Sequence, residues 1–328
     1  MRKILFIIIF SILINPLYAG PKDKVKKSGF ISKKNIHPIK NDFNISDPKN
    51  KIILIYNHGQ NENDMALQSC AWVSMLRNHA SLIDQEVNGK KIMVYNFCTN
   101  HLAGDMSPKK DWWTLKTPEV YKGKHKLDKR VEANLDLINK FVKAGVPRKQ
   151  IFITGHSCGG KTTLLFMSRY PDKVGGGISY MHACFGKLSH KYKVKKLGVE
   201  KAMEKFRKKW KGPHDLRQKM NDEIKNNLKT PVLAFTHPRD KYEGLLSDWL
   251  EEIPGMKRIV ISENYKINGK KCIRKGYDWS EPVKKGHDMD TGLCFQYYNP
   301  VILDYICLLY TSDAADEGLG VDLGGRRI

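Results

Sequence analysis

Residues 155–162 read GHSCGGKT, and two different chemistries fit that stretch. Gly155-His156-Ser157-Cys158-Gly159 is G-x-S-x-G, the spacing that thrusts a serine hydroxyl out of a sharp strand-to-helix turn, where it can attack a carbonyl carbon. Gly155 to Thr162 is also G-x-x-x-x-G-K-T, a loop whose amides and Lys161 could cradle a phosphate. A nucleophilic serine needs a base, an acid to orient that base, and two N–H donors for the oxyanion. His287 in KKGHDMD, Asp240 after PVLAFTH, and the backbone N–H groups of Cys158 and Gln60 are the candidates. Glu243 competes with Asp240 for the acid. The order Ser157, Asp240, His287 is the Ser…Asp…His order of nucleophile-elbow sites. A phosphate site would need a second apolar strand ending in a metal-binding Asp. No run ends that way, because Asp240 lies past Pro238.

Three elements must hold such a serine site: a strand entering the turn, a strand before the acid and a strand before the histidine. Six short apolar runs qualify as strands: KIILIYNHG from Lys51, KIMVYNF from Lys91, QIFITG from Gln150, GGGISYMHA from Gly175, TPVLAFTH from Thr230 and MKRIVIS from Met256. Helical patterns separate most of them, which predicts an α/β fold with a mostly parallel sheet and helices on both faces. NDMALQSCAWVSMLRNHA reads as a helix with a Met65, Cys70, Trp72, Val73, Leu76 stripe, and LDKRVEANLDLINKFVKAG as one facing Val131, Leu135, Ile138 and Val142 inward, ended by Gly145. Residues 187–229, basic and helix-prone, are too long for a tight crossover and read as a helical insertion or partial lid before the acid-bearing strand.

The chain has 328 residues, 41% of them hydrophobic, and a net charge of +23. Residues 1–19 read as a signal peptide: Arg2 and Lys3, an apolar run, then Ala19 at a cleavage point. The expectation is export to a periplasmic or extracellular space, without stable membrane insertion after cleavage. Residues 20–50 read as an extended basic arm and 51–306 as the catalytic domain. Residues 307–328 resemble a translated sequencing adapter, which would end the natural chain near Ile306. The lysines are spread without interleaved aromatics, so no nucleic-acid partner is expected. Neither H-E-x-x-H nor paired C-x-x-C occurs, so no metal and no cofactor is expected. Oligomeric state stays open. Outside the tail six cysteines remain, and Cys272 and Cys294, flanking His287, are expected to close its loop as a disulfide in an oxidising compartment.

Residues 51–306 resemble the α/β-hydrolases, nearest their dienelactone-hydrolase-like branch. The motifs are HG after the first core strand, GHSCGG, RYPDKVGGGISY and the Asp after PVLAF. The resemblance implies a serine esterase acting on a carboxylic ester or lactone, through an acyl-enzyme on Ser157. Dienelactone hydrolases proper carry Cys as nucleophile, and here Ser157 holds that place with Cys158 behind it. His58, His182, Trp112 and Trp113 stand at strand ends or in the loop after the second strand, where they could meet a substrate. A catalytically silent binding scaffold and a P-loop nucleotide binder are the competing readings.

Overall fold

The computed structural model describes residues 24–25, 27–38, 42–59, 71–99, 124–261, 266–267, 270–271, 286–287 and 298–319. An eight-stranded sheet runs through them. Its main strands are β1 (Gly29–Phe30), β2 (Lys51–Asn57), β3 (Lys90–Phe97), β4 (Ile151–His156), β5 (Gly176–Tyr180), β6 (Val232–Thr236) and β7 (Met256–Val260). Their order is β1-β3-β2-β4-β5-β6-β7. All neighbours from β3 to β7 are parallel. Only β1 and the short pair Glu86–Val87 run antiparallel, both against β3.

Period-2 geometry sorts the side chains of β2 onto two faces. Ile52, Leu54 and Tyr56 join Leu76, Ile302 and Tyr305 on one face. Ile53 and Ile55 join Val131, Phe141, Leu164 and Ile224 on the other. All five β2 side chains are fully buried, each contributing on the order of 2 kcal/mol by leaving water. Helices α1 (Val73–Ala80) and α8 (Asn299–Leu319) therefore cover the first face. The second face is covered by α2 (Lys126–Lys143), α3 (Cys158–Arg169) and α7 (Lys211–Asn227). The α/β fold class expected from the alternating runs is the fold observed, and all six runs are strands of this sheet.

Between β5 and β6 the chain forms α4 (Leu188–Lys191), α5 (Val194–Leu197), α6 (Val199–Lys209) and then α7. A small core of Leu188, Tyr192, Val194, Ala202 and Phe206 packs α4 to α6 against Leu246. Leu246 belongs to the 3-10 helix Gly244–Glu252 that follows β6.

Two local readings are corrected. Of the helix expected across NDMALQSCAWVSMLRNHA, residues 63–70 lie outside the described residues and Val73–Ala80 is helical, but Ala71–Trp72 between them is extended and pairs antiparallel with Lys24–Val25. In α2 the inward face carries Leu137 and Phe141, whereas Leu135 and Val142 are half-buried. The stripe is rotated because two polar residues, Arg130 and Asn134, also occupy the buried face, for a reason given below.

Candidate active site

Ser157 sits between the end of β4 and the first residue of α3, at φ 57° and ψ −119°. That is a left-handed backbone at a residue with a Cβ, a strain that persists only where the surroundings enforce it. Packing around Gly159 does so. A Cβ there would stand 2.0 Å from Asn57 O, so α3 starts closer to β2 than any side chain allows. Backbone bonds fix the turn further: Ser157 N donates to Tyr180 O at 2.9 Å, and Ala183 N donates to Ser157 O at 3.0 Å. Ser157 occupies the N-cap position but makes no capping bond with its side chain.

The Ser157 hydroxyl faces His287 instead. Nε2 of His287 lies 2.9 Å from Ser157 Oγ, and its Nδ1 lies 2.9 Å from Asp240 Oδ2. All three side chains are buried. The second Asp240 oxygen accepts the Tyr242 N–H at 2.8 Å, which fixes the carboxylate plane. Glu243, the rival acid, is bound to Arg217 as a buried ion pair. Two rings hold the imidazole of His287: His156, with centroids 4.7 Å apart, and Tyr242, at 4.1 Å. His156 Nε2 is also 2.8 Å from His287 O, where it donates to the carbonyl. Burial, followed by the nearby His287, keeps the His156 pKa well below the ordinary imidazole value. Gly286 lets the histidine segment approach. Its φ is +54°, and a Cβ there would meet Asp240 N at 2.6 Å.

Cys158 is the first residue of α3, so its N–H is one of the four that helix geometry leaves without an intrahelical partner. The loop after β2 supplies the facing wall, with Gly59 close enough that a Cβ would stand 3.1 Å from Ser157 Cβ. Gln60, expected to give the second oxyanion donor, lies outside the described residues, as do Trp112, Trp113, Cys272 and Cys294. His58 is buried. Its Nε2 accepts from Thr99 N at 3.1 Å, which leaves the proton on Nδ1, 2.6 Å from Gly59 O. These contacts make His58 a brace for the loop. His182 is buried next to the Ser157 turn, edge-on to Trp249, and neither ring nitrogen has a hydrogen-bond partner among the described residues. Desolvation, then the charges of Lys161 and Arg217, lowers its pKa well below the usual range.

Several supporting residues carry no sequence motif. Asn57 and Asn134 exchange amide hydrogen bonds at 3.0 and 2.8 Å, and Arg130 Nη1 donates to His58 O at 2.9 Å. The buried polar side of α2 thus holds the end of β2 and the loop facing Ser157. Cys158 and Cys184 also meet, with Cα atoms 4.5 Å apart, a separation a disulfide spans.

Lys161 does not present itself to a phosphate. Its ammonium is buried, bonded to Asn221 Oδ1 and 5.1 Å above the Trp249 ring. Burial and the charge of Arg217 pull its pKa down to about 7. A cavity of about 200 Å³ lies beyond Asn221 and Trp249, between α6, α7 and the 3-10 helix, and is lined by neither Ser157 nor His287.

No protein-family model and no curated protein matches the chain. Among solved structures it is similar to Est1E from Butyrivibrio proteoclasticus, at 12% identity over 82% of this chain and 91% of that one, with a TM-score of 0.41. A CIB-like hydrolase from Thermoplasma acidophilum is similar at 15% identity, 87% and 99% coverage and a TM-score of 0.39. A monoacylglycerol lipase from Paleococcus ferrophilus is similar at 11% identity, 88% and 99% coverage and a TM-score of 0.41. The strand order, with a serine turn after β4, an Asp after β6 and a His beyond β7, gives this chain the α/β-hydrolase fold.

Proposed function

We propose that the chain is an exported serine hydrolase that cleaves a carboxylic ester or lactone, of the dienelactone-hydrolase-like type with serine as nucleophile. One observation carries the reading: His287 bridges Ser157 and Asp240 with 2.9 Å contacts on both ring nitrogens. A general base must lie within hydrogen-bond reach of the proton it takes, and His287 does. Asp240, accepting from Nδ1–H, keeps the Nε2 lone pair aimed at Ser157 Oγ.

The chemistry follows from those positions. Ser157 Oγ adds to the ester carbonyl carbon as its proton passes to His287 Nε2. The carbonyl oxygen becomes an oxyanion held by the N–H groups of Cys158 and Gln60, each donor contributing about 3 kcal/mol of transition-state stabilisation. Collapse expels the alkoxide, which takes the proton back from His287. Water, activated by the same imidazole, then adds to the acyl-enzyme and releases the acid, restoring Ser157. Asp240 stays ionised throughout and stabilises the transient imidazolium. The 187–229 insertion serves as a partial lid. Cys158 and Cys184 form a disulfide that ties the oxyanion donor to the segment after β5, and a second bond between Cys272 and Cys294 closes the histidine loop.

A fluorophosphonate probe tests the reading. Ser157 should be labelled, Ser157→Ala should abolish labelling and ester hydrolysis, and Lys161→Ala should keep most of both. Ester binding without labelling or turnover would make the chain a silent scaffold. ATP binding lost in Lys161→Ala, without labelling, would restore the phosphate reading.

A further inference from the structure

The segment KLSHKYKVKKLGVEKAMEKFRKKWK, residues 187–211, holds eleven Lys and Arg against Glu200 and Glu204, a net +9 within a chain whose total is +23. Every one of those eleven cations is exposed. Lys208 pairs with Glu204 and Lys211 with Asp215. Among the described residues the other nine make no ion pair. The small core of α4, α5 and α6 explains the outward display, since Tyr192, Val194, Ala202 and Phe206 take the inner side. A solvated face would be polar throughout, and this one is not. Val199 is 43% exposed and Trp210 49% exposed, two of the four large exposed hydrophobics among the described residues. They stand at opposite ends of α6, roughly 16 Å apart along its axis. Lys191 on α4 lies 5.7 Å from the Trp210 ring, so residues far apart in the chain share one face.

We infer that this face docks on an anionic phospholipid surface. Lysines within a Debye length of such a surface are attracted to its charge, and their alkyl stems reach past apolar neighbours while the ammonium stays hydrated. Trp210 supplies the amphipathic ring suited to the headgroup layer, with Val199 as a second apolar contact. A single exposed tryptophan already covered by Lys191 provides no stacking series for nucleic acid bases. Backbone bonds link the face to the candidate site: Ser189 N donates to Tyr242 O at 2.7 Å, and His190 N to Lys241 O at 3.0 Å, just after Asp240. Docking would therefore hold the site beside the bilayer.

The inference stands apart from the hydrolase reading, so the full chain is tested as Ser157→Ala, which leaves the lipid intact. It should sediment with vesicles of phosphatidylcholine plus phosphatidylglycerol, and not with phosphatidylcholine alone, and high salt should release it. Lys205→Glu with Lys208→Glu should lower partitioning roughly tenfold or more, and Trp210→Ala several-fold. Lys257→Glu, on β7, should change it little, and circular dichroism should confirm that each variant is folded. Equal binding to neutral and anionic vesicles would overturn the inference. So would unchanged partitioning in the double charge reversal. Preferential binding to heparin or DNA, indifferent to Trp210→Ala, would overturn it in favour of a polyelectrolyte face.

Discussion

Asp240 Oδ2 stands 2.9 Å from His287 Nδ1, while Glu243, three residues later, holds Arg217 instead. The two carboxylates should therefore fail differently. Asp240→Asn keeps the shape but stabilises the wrong imidazole tautomer, and kcat should fall about 10⁴-fold. Glu243→Gln leaves a buried guanidinium without its counter-charge and should cost roughly 3–5 kcal/mol of stability, with kcat far less affected. Kinetics on a p-nitrophenyl ester, with urea unfolding of each variant, separates the two. The reverse ranking would move the acid to Glu243.

Gly286→Ala puts a methyl group 2.6 Å from Asp240 N at a φ of +54°. The histidine segment must withdraw, and displacement on the order of 1 Å can cost about a hundredfold in rate. kcat should drop by about that factor, and fluorophosphonate labelling should slow in parallel. Unchanged labelling would show that His287 reaches Ser157 by another path.

Cys184→Ser unties the Cys158 side chain while leaving its N–H in place. The expected result is a lower kcat with little change in KM, because the oxyanion donor acts in the transition state and not on the bound ester. Alkylation with mass mapping of the untreated chain checks the pairing. Free thiols at both positions in active protein would remove the disulfide from the scheme.

The buried imidazoles give the fold an acid limit. His156 and His182 are held neutral by desolvation, well below the ordinary range. The unfolded chain takes up protons at both as pH falls through about 6.5. A depressed folded-state pKa means stability is complete above that pH and declines below it. The melting temperature should fall between pH 7.5 and pH 5, and His182→Asn should flatten part of the slope. An unaltered slope in that variant would show that His182 titrates normally.

Lys161 gives the opposite end of the profile. Its folded pKa is about 7 against 10.5 for the free side chain. From about pH 7 to about pH 10.5 the unfolded chain binds the extra proton, so this group makes stability rise with pH across that window. Lys161→Met should lose the rise and keep ester hydrolysis within about threefold, since Met fills similar volume without a charge to desolvate. Calorimetry at pH 7 and pH 9 reads the difference.

The sheet was readable from the sequence because its central parallel strands β2, β4, β5 and β6 are buried on both faces and so appear as unbroken apolar runs. The meeting of Ser157, Asp240 and His287 was readable because a turn motif and chain order point to those three residues. Their supports were not. His156 reaches His287 across 131 residues and Asn57 reaches Asn134 across 77, and neither distance leaves a local pattern. Arg130 and Asn134 also broke the apolar stripe of α2, which is why its inward face was misjudged. Ala71–Trp72 looked helical because the pairing that extends it comes from Lys24–Val25, nearly fifty residues away.

Ser157 and His287 are separated by 130 residues, and the acid that orients the histidine belongs to a third segment. No fragment made early in synthesis holds the contact, because β4, β6 and the histidine segment must all be in place before the hydroxyl has a base. Contacts of such long sequence separation form late, after many loops have closed. On the hydrolase reading proposed above, the serine is without its base for most of the chain's time on the ribosome and in any unfolded state. On that reading it gains its reactivity only when the last third of the chain has folded onto the first two, so appearance of probe labelling over time is itself a clock for completed folding.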